Sequence, residues 1–497
     1  MNVEHKPNWH QRAEQTQLPT KAFIGGVYVD AISGETFDCV YPGNGKIIAE
    51  VAACGTADVD AAVISARRAF ESGAWSRAAP AERKKVLLRF SELLLQNREE
   101  LGLLETLNVG KPIANSTNGD IPSAANCIAW YAEAIDKVYG EVAVTADDVT
   151  TIVVREPVGV VAAVVPWNYP LSMAAWKLGP ALATGNSVIL KPAEQSPFTA
   201  LRIAQLAMDA GLPAGVLNVV PGLGHVAGKA LGLHMDVDCV GFTGSTEVGR
   251  YFMQYSGQSN IKRIGLELGG KSPQVVLADC DDLDAAARSV AAGIFANSGQ
   301  VCNAGSRLIV EDKIKDRFLE KLLQQAAALS PADPLDPSTK LGSIVTEEQL
   351  ARVMGYIEDG VAGGARIVAG GNRVRQDSGG FFVEPTIFDG VSNQMKIARE
   401  EIFGPVLATI TVRDFDEAMT VANDTIYGLA AGVWTNDVKK AHRAAKAIKA
   451  GVVWVNCFDR GLMSVPFGGF KQSGFGRDKS IHAMEKYTDL KAMWFAH

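Results

Sequence analysis

The chain has 497 residues, more than one ordinary core accommodates, so two or three domains are expected. Hydrophobic residues make up 47% and charged residues 21%, which excludes a disordered chain, and no apolar run is long enough to span a bilayer. The formal net charge of −7 offers no basic footprint, so neither a nucleic-acid nor a membrane partner is expected.

Residues 1–20 are polar and lack the apolar core of a signal peptide. Seven cysteines, at 39, 54, 127, 239, 280, 302 and 457, are scattered with no CxxC and no histidine at metal spacing. They read as reduced thiols in a cytoplasmic protein with no metal site. From about residue 55 to 140, "DVDAAVISARRAFES" and "AERKKVLLRFSELLLQNREELGLLETL" space apolar residues by three and four, which predicts successive helices. "TIVVREPVGVVAAVVPWN" then switches to β-branched runs of buried strands. From there strands alternate with single helices: "NSVILKP", "GVLNVVPG" and "VDCVGFTG" each precede a helical segment. A second alternating series begins near Gly269 with "SPQVVLAD" and "SRLIVED". The pattern predicts an α/β chain of parallel, doubly wound sheets. The β-prone tail "EKYTDLKAMWFA" has no partner nearby in sequence and is expected to pair with another element or another subunit.

Chemistry-bearing residues fall at predicted strand ends. "GLGHVAG" (Gly222, Gly224, Gly228) follows a strand and opens a helix with GxGxxxG spacing, which suits either a dinucleotide turn or a plain tight turn. In "FTGSTEVG", Gly244 and Ser245 can offer backbone N–H groups and a hydroxyl to a pyrophosphate. In "ILKPAEQSP", Glu194 can accept from ribose hydroxyls and repel a 2′-phosphate, favouring NAD over NADP, though Lys191 can offset that; a solvated ion pair is the alternative. Glu267, among apolar residues in "GLELGGKSP", suits a general base of raised pKa or a structural cap. Asn168 in "VVPWNYP" suits an oxyanion donor or an Asx turn. Cys302 in "GQVCNAG" sits on a glycine-flanked turn, and none of the seven histidines stands in a protease-like partner segment.

"PWNYPLSMAAWKLGPALATGNSVILKPAEQSP", "GFTGSTEVG", "LELGGKSP", "GQVCNAG", "EEIFGPV" and "PFGGFKQSGFGRD" together resemble the NAD(P)-dependent aldehyde dehydrogenase superfamily along essentially the whole chain. The resemblance implies a Rossmann-type NAD-binding domain (1–140 and 158–268), an α/β catalytic domain (269–475), and oligomerisation strands (141–157 and 476–497) that pair between subunits of a homo-oligomer, dimer or tetramer. It implies that Cys302 is the nucleophile, that Glu267 activates the hydrolytic water, and that Asn168 and the Cys302 N–H form the oxyanion hole, with Lys177 near the thiol. Lys191, Glu194 and Ser245 would contact the adenosine ribose and pyrophosphate, and Glu401 and Phe403 the nicotinamide riboside. Pro166, Trp167, Gly224, Gly228, Gly244 and Leu268 complete that cofactor site. Asp478 stands where many relatives carry Glu.

Within the family, "WYAEAIDKVYGEVA", "MSVPFGGFKQSG" and "GRDKSIHAMEKYTDLKAMW" resemble bacterial enzymes of polyamine catabolism. Those act on γ-glutamyl-γ-aminobutyraldehyde, guanidinobutyraldehyde or other ω-aminoaldehydes. Tyr169, Met173, Trp176, Val301, Asn303, Phe458 and Phe467 match the family's substrate pocket. Asp120 and Asp459 match its mouth, where each would either meet a substrate tail or stay solvated. The alternatives are a broad-specificity or betaine-type dehydrogenase, a CoA-acylating relative, to which Glu267 would be superfluous, and a catalytically silent relative.

Overall fold

Five short segments, Val160–Val164, Ser187–Lys191, Leu217–Val219, Cys239–Thr243 and Arg263–Glu267, carry apolar runs that are buried on both faces almost throughout, as parallel central strands require. In the computed structural model, which describes residues 8–497 and so omits His5, these five are hydrogen-bonded in parallel. Val160–Val164 is central, with Ser187–Lys191 and Leu217–Val219 to one side and Cys239–Thr243 and Arg263–Glu267 to the other. The strand order therefore reverses between Val160–Val164 and Cys239–Thr243, and their carboxyl ends flank the crevice where such sheets take ligands. Antiparallel strands Ala22–Ile24 and Val27–Val29 close one edge and Gly474–Phe475 the other. Gly474–Phe475 thus belongs to the nucleotide sheet, not to the catalytic domain drawn through residue 475.

Helices Pro170–Ala183, Phe198–Asp209 and Thr246–Gln258 connect these strands, and Thr56–Ser72 packs on the sheet. Helices Pro80–Gln96, Arg98–Val109 and Ile121–Ala134 extend the layer that the sequence periodicity indicated.

A second sheet runs Arg366–Ala369, Thr386–Asp389, Val406–Val412, Arg307–Glu311, Pro273–Val276, Ala430–Trp434, Val452–Val455, parallel except at its first strand. Glu267 ends the first sheet and Pro273 begins the second, so the short "LGGKS" link holds the two strand edges across one cleft.

The tail finds its partner within the same chain. Thr488–Ala496 pairs antiparallel with Val149–Pro157 over nine residue pairs, and Glu141–Ala143 covers the other side. That pairing meets the first of the two expectations for the tail, a partner element of the same chain, and leaves Thr488–Ala496 and Glu141–Ala143 as the two edge strands of the sheet. The sheet stands out from the body with Val142, Leu490 and Trp494 exposed. Among the described residues, no helix is long and apolar enough to cross a membrane.

Candidate active site

A cavity of about 620 Å³ lies between the carboxyl edge of the first sheet and the loop leading into Arg307–Glu311. Cys302 sits on that loop. Helix Leu283–Phe295 ends in three successive left-handed residues, Asn297, Ser298 and Gly299, with φ of 48°, 54° and 72°. Such backbone is strained for Asn and Ser and must be held by its surroundings. A Cβ on Gly299 would lie 2.1 Å from the Gly404 carbonyl oxygen, so the turn packs without room for a side chain. The buried Gln300 side chain braces it, accepting from the Val345 N–H at 2.9 Å and donating to the Asn297 and Ser343 carbonyls.

The Asn168 side chain donates to the Gln300 carbonyl at 2.9 Å, while Asn297 donates to the Asn168 carbonyl at 3.0 Å. The amide is thereby fixed next to the cysteine turn with one of its two N–H bonds unspent. The Cys302 N–H also has no hydrogen-bond partner among the described residues. Two free donors beside one sulfur can receive an oxyanion.

Glu267 is buried, and neither carboxylate oxygen makes a well-formed hydrogen bond. Burial drives its pKa up to about 8; Lys177 and the neighbouring Cys302 thiol oppose that rise, while Asp478 and Glu401 add to it. Burial also pushes the Cys302 thiol well above its ordinary value, and the facing Glu267 and Glu401 carboxylates push it further. The thiol therefore needs an adjacent acceptor for its proton, and the carboxylate that acts on it most strongly is Glu267. Cys39, Cys54, Cys127, Cys239 and Cys280 are buried away from this cavity; Cys457 is half-buried but does not line it.

Lys177 does not line the cavity. It is buried behind it in an ion pair with Asp478, whose other oxygen accepts from Lys486. Burial alone would raise the Asp478 pKa, but the two lysines outweigh it and hold it at about 2. Lys177 thus acts on Glu267 through its field, from a buried charge cluster.

At the other end, Lys191 and Glu194 follow one strand end with Nζ and Oε2 3.2 Å apart. Burial lowers the Lys191 amine's pKa. Burial opposes ionisation of Glu194, but Lys191 and backbone N–H groups, including that of Gly224, bring its pKa below the ordinary value. Gly224 and Gly228 line the same space, and a Cβ on either would meet nothing within 4 Å. Ser245 caps helix Thr246–Gln258, its Oγ accepting from the Val248 N–H at 3.2 Å, which leaves its own proton to donate. The Thr243 hydroxyl is buried at the cavity wall without a partner. A glycine cradle, a helix N-terminus, an acid–lysine pair and an orphan hydroxyl fit a dinucleotide.

Glu401 lies between the two ends. Burial raises its pKa to about 7, against the Gly270 N–H that donates to it at 3.0 Å. A Cβ on Gly269 would stand 2.1 Å from the Glu401 carboxylate, so a side chain there would displace that carboxylate. Phe403 is left-handed (φ 58°) and meets Trp167 edge-on at 5.2 Å.

The structure brings Pro166, Trp167, Asn168, Lys191, Glu194, Gly224, Gly228, Gly244, Ser245, Glu267, Cys302, Glu401 and Phe403 to this one cavity. Of the substrate positions, Asp120, Tyr169, Met173, Trp176, Val301, Asn303, Asp459 and Phe467 line it. Besides Lys177, two assignments fall outside. Leu268 is buried beneath helix Thr246–Gln258, where a Cβ on Gly249 would meet it at 2.7 Å. Phe458 packs over Gly293 and Gly432 and meets the Trp454 ring at 4.9 Å, tilted by 56°. Asp120 forms an ion pair with Lys111, whose ammonium lies 3.5 Å from the Tyr169 ring centre.

Several wall residues escaped the sequence reading. From helix Glu347–Ala362, Gln349 donates to the Ile402 and Phe403 carbonyls and Arg352 to that of Glu401, which fixes the turn carrying Glu401 and Phe403. No local pattern announces contacts across about fifty residues. Lys479 also lines the cavity, and its place directly after Asp478 was the available signal.

The sequence profile described as "Aldehyde dehydrogenase family" matches residues 28–493. The chain is 50% identical over 496 residues to the NADP/NAD-dependent aldehyde dehydrogenase PuuC of Escherichia coli (strain K12), covering 100% of this chain and 99% of the relative. It resembles the crystal structure of indole-3-acetaldehyde dehydrogenase complexed with NAD+, at 59% identity and a TM-score of 0.98, covering 98% and 99% of the two chains. It is similar also to γ-glutamyl-γ-aminobutyraldehyde dehydrogenase from Burkholderia cenocepacia J2315, at 58% identity and a TM-score of 0.97, with 98% and 99% covered.

Proposed function

The chain belongs to the aldehyde dehydrogenase family of NAD(P)-dependent oxidoreductases, and from that premise we propose that it oxidises a polyamine-derived aldehyde to its carboxylate through a thioester on Cys302. The carrying observation is the convergence on one cavity of the thiol, the buried Glu267 carboxylate and the half-spent Asn168 amide, opposite the Lys191–Glu194 strand end. Glu267 takes the thiol proton, and the sulfur adds to the aldehyde carbon. The oxyanion forms against the Asn168 amide and the Cys302 N–H. NAD bound at the Lys191–Glu194 end supplies the hydride acceptor. Loss of hydride from the former aldehyde carbon to that acceptor would leave a thioester on Cys302. Once Glu267 has passed the thiol proton to solvent, its carboxylate accepts a proton from the water that attacks the thioester. The C–S bond breaks, and the acid leaves with Cys302 restored as a thiolate. Glu401 and Phe403 would orient the reacting end of the dinucleotide, Phe403 held by Trp167.

The Lys191–Glu194 pair softens the acid's repulsion of a 2′-phosphate, so NAD is preferred without strict exclusion of NADP. The relative named for γ-glutamyl-γ-aminobutyraldehyde and the aromatic wall of Trp176 and Phe467, 5.3 Å apart, support a long, flexible aldehyde. The exposed apolar residues of the three-stranded sheet support its use in a homo-oligomer. A panel of aldehydes with NAD and NADP, followed by NADH or NADPH absorbance, tests the reading; no reduced cofactor with any aldehyde overturns it.

A further inference from the structure

The mouth of the tunnel contains a cation of its own. Lys479 and Ser480 are both left-handed, with φ of 56° and 52°. That strained pair lets Asp478 face the buried lysines while Lys479 faces the cavity. The Lys479 ammonium lies 4.5 Å from the Trp176 ring centre and 5.5 Å from that of Phe467. Gly461 leaves it room: a Cβ there would stand 3.2 Å from Nζ. Among the described residues Lys479 makes no ion pair within 4.0 Å. Of the nearby carboxylates, Asp120 is paired with Lys111 and Asp478 with Lys177 and Lys486, while Asp459 accepts only from the neutral Asn303 amide at 2.8 Å and has Lys479 as the cation that acts on it. Arg460 adds a second cation to the wall.

We propose that Lys479 is a specificity-determining residue that fills the aromatic seat a substrate ammonium would take, so that the tunnel selects aldehydes with an uncharged or carboxylate-bearing far end over those ending in a free cation. This rests on the aldehyde-oxidising reading above and narrows it. An aromatic face already covered by an ammonium has no cation–π attraction left to offer, and a second cation meets like charge instead. A carboxylate tail meets Lys479 without first having to displace a partner from it.

The test compares kcat/KM for three aldehydes of similar reach: γ-trimethylaminobutyraldehyde, its uncharged tert-butyl analogue, and adipic semialdehyde. The wild-type enzyme is expected to favour the uncharged and carboxylate tails over the cationic one by about tenfold or more, chiefly through KM. Lys479→Met should raise the cationic-to-uncharged ratio about tenfold and reduce the preference for the carboxylate, while Lys479→Arg should keep the wild-type order. A wild-type preference for the cationic tail, or a ratio unmoved by Lys479→Met, overturns the inference. The wild-type order of the three tails decides even if the Met variant does not fold. Oxidation of all three at equal efficiency refutes this inference alone, whereas no oxidation of any aldehyde refutes the activity and the inference together.

Discussion

At the nucleotide end of the cavity Lys191 and Glu194 stand 3.2 Å apart and Ser245 caps its helix, whereas at the thiol end Glu267 keeps both carboxylate oxygens buried without a well-formed hydrogen bond. The contrast shows in the two acids' pKa values: Glu194 lies below the ordinary carboxylate range, while Glu267 is driven up to about 8. Groups that only hold a ligand can be satisfied in advance. Groups that must accept a proton near neutral pH need an environment that opposes their charge, and burial supplies it. The two ends should therefore separate under mutation.

The largest effect should come from Cys302→Ala. Oxidation is expected to vanish, because no other cysteine lines the cavity, while NAD affinity measured by calorimetry stays near wild type. A variant that still produces NADH at the wild-type rate would refute the thiol assignment. Asn168→Ala comes next. Losing one oxyanion donor costs about 3 kcal/mol, roughly a hundredfold in kcat. The loss of NAD affinity should be far smaller, and equal losses in both would mean that the amide only braces the Cys302 turn.

Glu267→Gln should split the reaction in time. With the acceptor of the water's proton gone, hydrolysis becomes the slow step, and a burst of NADH on mixing should precede a reduced steady rate. In the wild type, steady turnover should rise as pH increases through about 8, where Glu267 ionises, and the variant should lose that rise. A pH profile unchanged in the variant would assign the proton to another group.

The same two ends differ in how far the sequence disclosed them. Lys191 ends the strand Ser187–Lys191 with Glu194 three residues on, and Gly244 and Ser245 follow the strand Cys239–Thr243, so the strand pattern places all four on one sheet edge. The thiol end depends on contacts between distant segments. That Asn168 donates to Gln300, and that Gln349 holds Phe403, follows from how two sheets meet and leaves no periodic trace. Leu268 and Phe458 sit one or two residues from cavity-lining neighbours, yet alternation and glycine packing turn them away. The tail's β-propensity was legible, but its partner was not, since antiparallel pairing across more than three hundred residues fixes no spacing. The resemblance to known dehydrogenases supplied the roles that spacing could not.

The smallest effect, and the sharpest form of the contrast, lies in stability against pH. Glu267 has its folded pKa raised from 4.5 to about 8, so between those values the native state holds a proton the unfolded chain has released. Stability that is fully present below pH 4.5 is then lost as pH rises through about 8. Glu194 runs the other way. Its folded pKa lies below 4.5, so its contribution is complete above that value and is lost only as pH falls through the folded one. Melting temperatures at about pH 5 and about pH 9 distinguish them. Glu267→Gln should gain on wild type between the two conditions, because it no longer buries a charge at high pH. Glu194→Gln should differ from wild type by the same amount at both. If the Glu267→Gln difference does not grow with pH, the buried carboxylate is not held protonated by its surroundings, and the contrast between the two ends fails at its physical root.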